Sequence, residues 1–252
     1  MPKFKIPRAL PLIATISVCV LGMLLGNWQT RRAQEKEDIA QQIEAQSKIP
    51  VQAATSANMA NIKPFQRLKL RGTFLQQWPL YLDNRPMNGK AGMYALMPFQ
   101  ISEGGATILV ERGWFQRDLK ERTKIPSLPV PEGEIEIEGV VRTHIDRSMQ
   151  LGANDIVVPG AIVQNLSVVA VADVLKVKMP EWVLEQTSDQ GAGLQRDWPT
   201  PSNGADKHRA YAFQWYGLAA MAALFFVVTG LRTKINLLNS PDLIGLFILT
   251  FA

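Results

Sequence analysis

The sequence predicts a membrane protein in which two transmembrane α-helices flank a β-rich (α+β) extramembrane domain, barrel-like or sandwich-like. Three observations carry this. First, no charged side chain occurs between Arg8 and Arg31 or between Arg209 and Arg232. Each gap is 22 residues long, which as a helix rises about 33 Å, enough to cross a hydrocarbon core of roughly 30 Å. Second, the middle of the chain holds short segments of alternating polar and apolar residues, rich in branched and aromatic side chains, the period of a strand. Third, Gly and Pro punctuate those segments at short intervals.

Residues 1–8 form a basic head with Lys3, Lys5 and Arg8, and residues 9–30 form the first span. That span is longer than the apolar core of a signal peptide and no A-x-A site follows it, so it is expected to be an uncleaved anchor. Cys19 lies inside it without the preceding small residue a lipoprotein site needs. TRRAQEKEDIAQQIEAQ then carries mixed charges at helical spacing. The helix should continue to Ser47 or the Ile49-Pro50 step, and VQAATSANMANIKP completes a helical extension and linker over 31–64.

The β-rich domain is expected over 65–188. RLKLRGTFL, PLYLDNR, MYALMPFQI, ATILVERGWFQR, EIEIEGVVR and EWVLEQT read as strands. In EIEIE the period of two turns Ile135 and Ile137 inward and the glutamates outward. Glu103-Gly104-Gly105 is a hairpin signal, and Pro126, Pro129, Pro131 and Gly133 mark a loop. LSVVAVADVLKV reads as a helix starting at Ser167. A Gly/Pro-rich linker follows over 189–209, a second span over 210–231, and a tail over 232–252 whose apolar end, from Leu243, is too short to span a bilayer.

The net charge of +5 sits mostly at the membrane flanks, which leaves membrane lipid as a partner and no case for nucleic acid. With one cysteine, the extramembrane part has no disulfide, thiol nucleophile or thiolate metal site. H-E-x-x-H, C-x-x-C, G-x-S-x-G and Walker loops are all missing, and GAGLQR has an arginine in the third place of a dinucleotide fingerprint, so it reads as a turn. His144 in RTHID stands near Asp146 and reads as a surface histidine. The chain is therefore expected not to be an enzyme.

The other histidine, His208, stands at the start of the second span in HRAYAFQWYG. Helical spacing puts His208, Tyr211, Ala212 and Trp215 in one stripe. The antiparallel first span brings Trp28, Gln29 and Arg32 to the same depth. Gly22 and Gly26, and Ala219 and Ala223, are small pairs that permit close approach. Trp28, Tyr211 and Trp215 put aromatic side chains at this depth, and Arg31, Arg32, Lys207 and Arg209 put cations there. By themselves these residues read as an aromatic belt with basic anchors.

LLGNWQTRRAQEK (Gly26, Trp28, Gln29, Arg32), KLRGTF (Gly72, Phe74), LDNR (Asn84, Arg85), GMYALMPF (Gly92, Tyr94, Leu96, Pro98), ILVERGWF (Arg112, Gly113, Trp114) and H-x-x-Y-A-x-Q-W at 208–215 follow one another in the order and spacing of a known family. The chain resembles the surfeit-locus (Surf1-type) family of cytochrome c oxidase assembly proteins, and a bacterial member of it. Lys207 and Arg209 around the histidine depart from the family's pattern, as does the apolar tail.

That resemblance implies help in maturing cytochrome c oxidase, at insertion of heme a into its catalytic subunit, with that subunit and a heme a synthase as partners. For some bacterial members it implies direct binding of heme a, with the histidine at the second span, here His208, on the iron as a neutral imidazole. On that implication Trp28, Tyr211 and Trp215 would flank the macrocycle, and Arg31, Arg32, Lys207 and Arg209 would neutralise its propionates. A cofactor-free membrane chaperone or scaffold that holds oxidase subunits is the alternative. The short head suggests a bacterial inner-membrane protein with both ends in the cytoplasm and the β-rich domain in the periplasm.

Overall fold

The computed structural model describes residues 9–148, 156–199 and 204–238, with side chains up to Arg232 in the last segment. The basic head and the apolar tail from Leu243 lie outside the described residues. The chain divides into a helical unit, from 1–40 and 203–252, and a β-rich unit over 41–202.

Helix α1 runs unbroken from Ala9 to Ser47, past the end of the apolar run as its charge pattern predicts. Helix α3, from Ala205 to Leu238, starts ahead of the apolar run because Asp206 in its first turn suits the positive end of the helix. Both helices are long and apolar enough to cross a membrane, and only 11% of each apolar window is buried. A core helix of a soluble protein would bury that stripe. Here Leu10, Ile13, Ile16, Leu24, Met221, Leu224 and Phe225 all stay exposed, as residues facing lipid do.

The β-rich unit is built on a closed five-stranded barrel. Its strands are β2 (Arg67–Phe74), β4 (Gly92–Ile101), β5 (Thr107–Gln116), β6 (Ile135–Arg142) and β8 (Val183–Gln186). They run in the order β2-β6-β8-β5-β4, and β4 returns to pair with β2. β4 serves both jobs because it is long: its first half pairs with β3 (Leu80–Leu82) and its last residues with the end of β2. At that closure a Cβ on Gly72 would run into the Gln100 carbonyl, so the seam needs glycine there. The remaining pairs are parallel and two residues long: β1 (Gln52–Ala53) on β2 and β7 (Ile162–Val163) on β3.

Alternation decides which side chains fill the barrel. Leu68, Leu70, Phe99, Ile108, Val110 and Ile137 point inward, all at most 1% exposed. The glutamates of EIEIE face out, where Lys69 meets Glu136 at 2.9 Å and Glu138 at 3.2 Å. The opposite face of β3, β4, β5 and β8 is covered by helix α2 (Val168–Leu175), whose Val168 and Val171 pack on Leu80, Leu82, Leu96 and Leu109. Ser167 begins α2 as its N-cap, its Oγ accepting from the Ala170 N–H at 3.1 Å.

Two findings depart from the sequence expectation. The short strands β1 and β7 join the six expected ones; a two-residue pairing carries no periodicity to read. The stretch 189–199 is packed onto the barrel rather than serving as a linker. Ala192 and Leu194 are buried, Gln195 bridges to Trp114, and the Trp198 indole N–H donates to the Gln186 carbonyl at 2.7 Å.

The LDNR and RGW landmarks prove to be one structural knot. Arg85, 7% exposed, donates to the carbonyls of Asp83, Asn84, Asp146 and Gln164 at 3.0, 3.3, 2.7 and 3.1 Å. Trp114 Nε1 in turn donates to the Arg85 carbonyl at 2.6 Å. One guanidinium thereby ties three chain segments together.

Candidate functional site

The two long helices pack against each other through small residues. Gly22, Gly26 and Ala33 on α1 and Ala205, Ala212 and Ala219 on α3 are the buried positions. A Cβ on Gly22 would lie 2.9 Å from that of Ala219. The Gly22–Gly26 pair thus acts as its spacing predicts, whereas only Ala219 of the second pair is in the seam and Ala223 is exposed. Contacts climb α1 as they descend α3, from Gly22–Ala219 through Gly26–Tyr216 to Gln29–His208, so the helices are antiparallel.

The seam divides the pair into two flanks. An α-helix turns about 100° per residue, so His208, Trp215 and Tyr211 fall on one side of the Ala205–Ala212–Ala219 line and Arg209, Tyr216 and Phe213 on the other. On the first flank the His208 Nδ1 lies 2.6 Å from Gln29 Oε1. A neutral imidazole donating from Nδ1 keeps its lone pair on Nε2, and Nε2 makes no hydrogen bond among the described residues. A carbonyl holding one ring nitrogen so that the other can ligate is the usual support of a metal-bound histidine. Arg32 and Trp28 lie on the Gln29 side of α1.

On the second flank, Tyr216 covers Gly26 and its hydroxyl donates to Asn27 Oδ1 at 2.8 Å, with Thr30 Oγ1 at 3.3 Å. Arg209 pairs there with Glu37, and more distantly with Asp206 at 3.6 Å. A groove of about 370 Å3 lies between Thr30, Gln34, Glu37, Arg209, Phe213 and Tyr216. Arg209 is therefore on the flank away from His208.

The remaining expected contacts place as follows. Trp28 and Tyr211 are 47% and 53% exposed, outside the seam, and Trp215 is half-buried. Arg32 pairs with Glu35 at 2.6 Å. Arg31 and Lys207 have no ion pair among the described residues, so those two retain an unpaired cation. The polar contacts of Tyr216, Asn27, Thr30 and Glu37 escape a reading centred on histidine and tryptophan. Their signal was the run of polar residues following Gly26 at the membrane boundary.

The β-rich unit holds its own buried charges. Asp83, 4% exposed, takes Arg122 Nη2 at 2.6 Å and Nε at 3.1 Å. Burial pushes its carboxyl up, and the Arg122 bonds and the Asn84 N–H outweigh that and hold it below the usual range. Glu111, 5% exposed, goes the other way: burial, then Glu185 and Asp146, push it up to about 8 despite Arg85 and Arg142. Glu185 bonds Arg142 at 2.7 Å. His144 lies 3.9 Å from Asp146, both side chains largely exposed, as a surface histidine should be. Among the described residues no three His, Cys, Asp or Glu side chains converge to hold a bare metal ion. His208 with its Gln29 support fits a single axial bond to a metal that arrives in its own macrocycle.

A sequence model of the SURF1 family matches residues 16–220. A SURF1-like protein of Rickettsia felis is 27% identical over 224 residues, 86% of this chain and 95% of that protein. Surfeit locus protein 1 of Takifugu rubripes is 26% identical over 215 residues, 78% of this chain and 87% of that one. The cytochrome oxidase assembly protein SHY1 of Saccharomyces cerevisiae is 26% identical over 102 residues, 39% of this chain and 26% of its own length. The matched span takes in the first apolar helix from residue 16 on, the whole barrel and the His208 end of the second helix, and on that evidence the chain belongs to the SURF1 family.

Proposed function

We propose that this protein is an assembly factor for cytochrome c oxidase in a bacterial inner membrane, binding heme a and aiding its insertion into the catalytic subunit. The observation that carries the heme reading is the 2.6 Å contact between His208 Nδ1 and Gln29 Oε1. It fixes the imidazole on one flank of the helix pair and leaves Nε2 available as an axial ligand. The oxidase role rests on family membership and on the yeast relative's name, cytochrome oxidase assembly protein.

Heme a would supply an iron that an imidazole can ligate. His208 would hold it, Gln29 would keep the ring in the right tautomer, and Trp215 and Tyr211 would give an apolar, aromatic flank. Lys207 is the unpaired cation on the His208 side of α3 and suits a propionate, whereas Arg31 points away from Gln29, and Arg32 and Arg209 already have carboxylate partners. The seam itself is closed by Gly22, Gly26 and Ala219, so a macrocycle belongs against the His208 flank and not between the helices. A carrier that must release its cargo is served by one ligand rather than two.

The test is a visible spectrum of the detergent-purified protein from a host that makes heme a, beside His208→Ala and Gln29→Leu. The expected result is a reduced heme a band that is lost in His208→Ala and weakened or shifted in Gln29→Leu. A colourless wild type, or a band indifferent to both changes, discards the heme reading and leaves a cofactor-free scaffold that holds oxidase subunits. Placement of the β-rich unit in the periplasm is tested by a reporter in the exposed Glu103–Gly105 turn against one after Ala252. The two must report opposite sides of the membrane.

A further inference from the structure

The barrel contains a buried arginine with no carboxylate. In β5 the register passes from Ala95↔Gly113 directly to Leu96↔Glu111. Arg112 is thus the extra residue of a β-bulge, the device by which strands re-aim a side chain. Gly113 makes the bulge possible, with φ of 148° and the Leu194 Cβ 2.7 Å from where its own Cβ would be. While Glu111 faces Glu185 and Arg142 on one side of the sheet, Arg112 is turned to the other.

Arg112 is 2% exposed and forms no salt bridge among the described residues. Its Nη2 donates to the Pro129 carbonyl at 2.7 Å, the guanidinium lies 5.2 Å from the centre of the Phe74 ring, and Nε is buried without an acceptor. The other titratable groups that act on it are Tyr81 and Arg196. Arg196 is a second cation whose side chain is 9% exposed and whose Nε and Nη2 also lack acceptors; only its Nη1 meets a carboxylate, Asp189, at 2.8 Å. Burial and Arg196 lower the Arg112 pKa to about 10, so it stays charged at neutral pH.

Arg112 lines a cavity of about 190 Å3 whose other walls include Gln76, Tyr81, Leu96, Met97 and Leu128. Desolvating a guanidinium costs several kcal/mol unless an anion or a full set of acceptors compensates it. One carbonyl and one ring face use a small part of a five-donor fork. If Arg112 served only to hold the 117–134 loop through Pro129, a neutral donor would do so without the charge.

We infer that this cavity is a binding site for a small carboxylate on a short aliphatic chain, the carboxylate meeting the Arg112 fork and the chain lying among Met97, Leu128 and Val130. A guanidinium presents paired N–H groups that match a carboxylate. The cavity is smaller than the roughly 300–1,000 Å3 of sites for drug-sized ligands, which limits the chain to a few carbons. The apolar walls favour such an acid over inorganic phosphate. This site is independent of the heme reading at the helix pair.

The experiment is calorimetric titration of the full-length protein in detergent, against a micelle blank, with straight-chain acids from acetate to octanoate and with hexanamide and inorganic phosphate. Saturable binding is expected to peak at an intermediate chain length and to fall beyond it, whereas partition into micelles rises with every added carbon. Arg112→Gln should weaken the best acid roughly ten- to hundred-fold, the value of a charged hydrogen-bonded pair. Leu128→Trp fills the cavity while leaving Arg112 and its Pro129 bond in place, and should abolish binding in a folded protein. The inference is overturned if no acid binds above the blank, if hexanamide or phosphate binds as well as the best acid, or if Leu128→Trp leaves binding unchanged.

Discussion

Glu111→Gln should remove a pH dependence that the barrel otherwise carries. Glu111 lies on β5 facing Glu185, Tyr94, Arg85 and Arg142, with Asp146 further out. Burial first, then Glu185 and Asp146, raise its pKa from 4.5 to about 8. The folded chain therefore holds a proton that the unfolded chain releases across that window. The stability so gained is complete below the unfolded value and is lost as pH rises through the folded one. At about 1.4 kcal/mol per decade the whole window bounds the effect near 5 kcal/mol. Glu185, also raised by burial and paired with Arg142, shares the titration, and roughly 2 kcal/mol at pH 8 is the expected net gain for glutamine. For a chain of this size that is about 4–8 °C in Tm.

The assay is tryptophan-fluorescence melting of the full-length protein in detergent at pH 5, 6.5 and 8. Wild type and Glu111→Gln should nearly coincide at pH 5 and separate as pH rises, with the variant the more stable. Parallel curves across the range would refute the account, because they would mean that Glu111 is ionised in the folded state or carries no proton linkage.

Other predictions follow from single contacts. Arg85→Ala leaves four carbonyls without their donor and should cost roughly 3–5 kcal/mol by chemical denaturation; a loss under 1 kcal/mol would mean solvent replaces the guanidinium. Ser167→Ala removes the α2 cap and should cost about 1 kcal/mol in the same assay, with Ser167→Gly milder. Gly26→Leu places a side chain where a Cβ would already be 2.7 Å from Tyr216 Cδ1. Cys19 Sγ approaches the Ala219 carbonyl at 3.4 Å, so an Ala219→Cys chain should oxidise to a disulfide with Cys19, and adding Gly26→Leu should reduce that yield several-fold. An unchanged yield would mean the seam does not depend on Gly26.

Local pattern was enough for much of this protein. Charge-free runs of helical length mark both apolar helices, since a lipid core of fixed thickness sets their length. Alternation marks the six longer strands and the inward side of EIEIE, since a strand's side chains alternate strictly between faces. Ser167 announced α2, and the small residues at 22 and 26 announced a seam. His208 stood out because a polar, ligating side chain at a membrane boundary is conspicuous against an apolar run.

What local pattern does not contain is the partner across the fold. The barrel closes because β4 is long enough to pair at both ends, and Gly72 yields space at the join, neither of which period-two alternation encodes. Arg209 left the His208 flank for Glu37 because one residue turns a helix by about 100° and the seam's position is set by the other helix. Gln29 became the support of His208 only when antiparallel packing brought residues 179 positions apart to 2.6 Å. Arg112 and Glu111 are neighbours in the chain, yet the bulge sends them to opposite sides of the sheet, one among carboxylates and one without any. Backbone periodicity decides which face a residue takes. Which charges meet there is decided by non-local register, and only the tertiary structure supplies it.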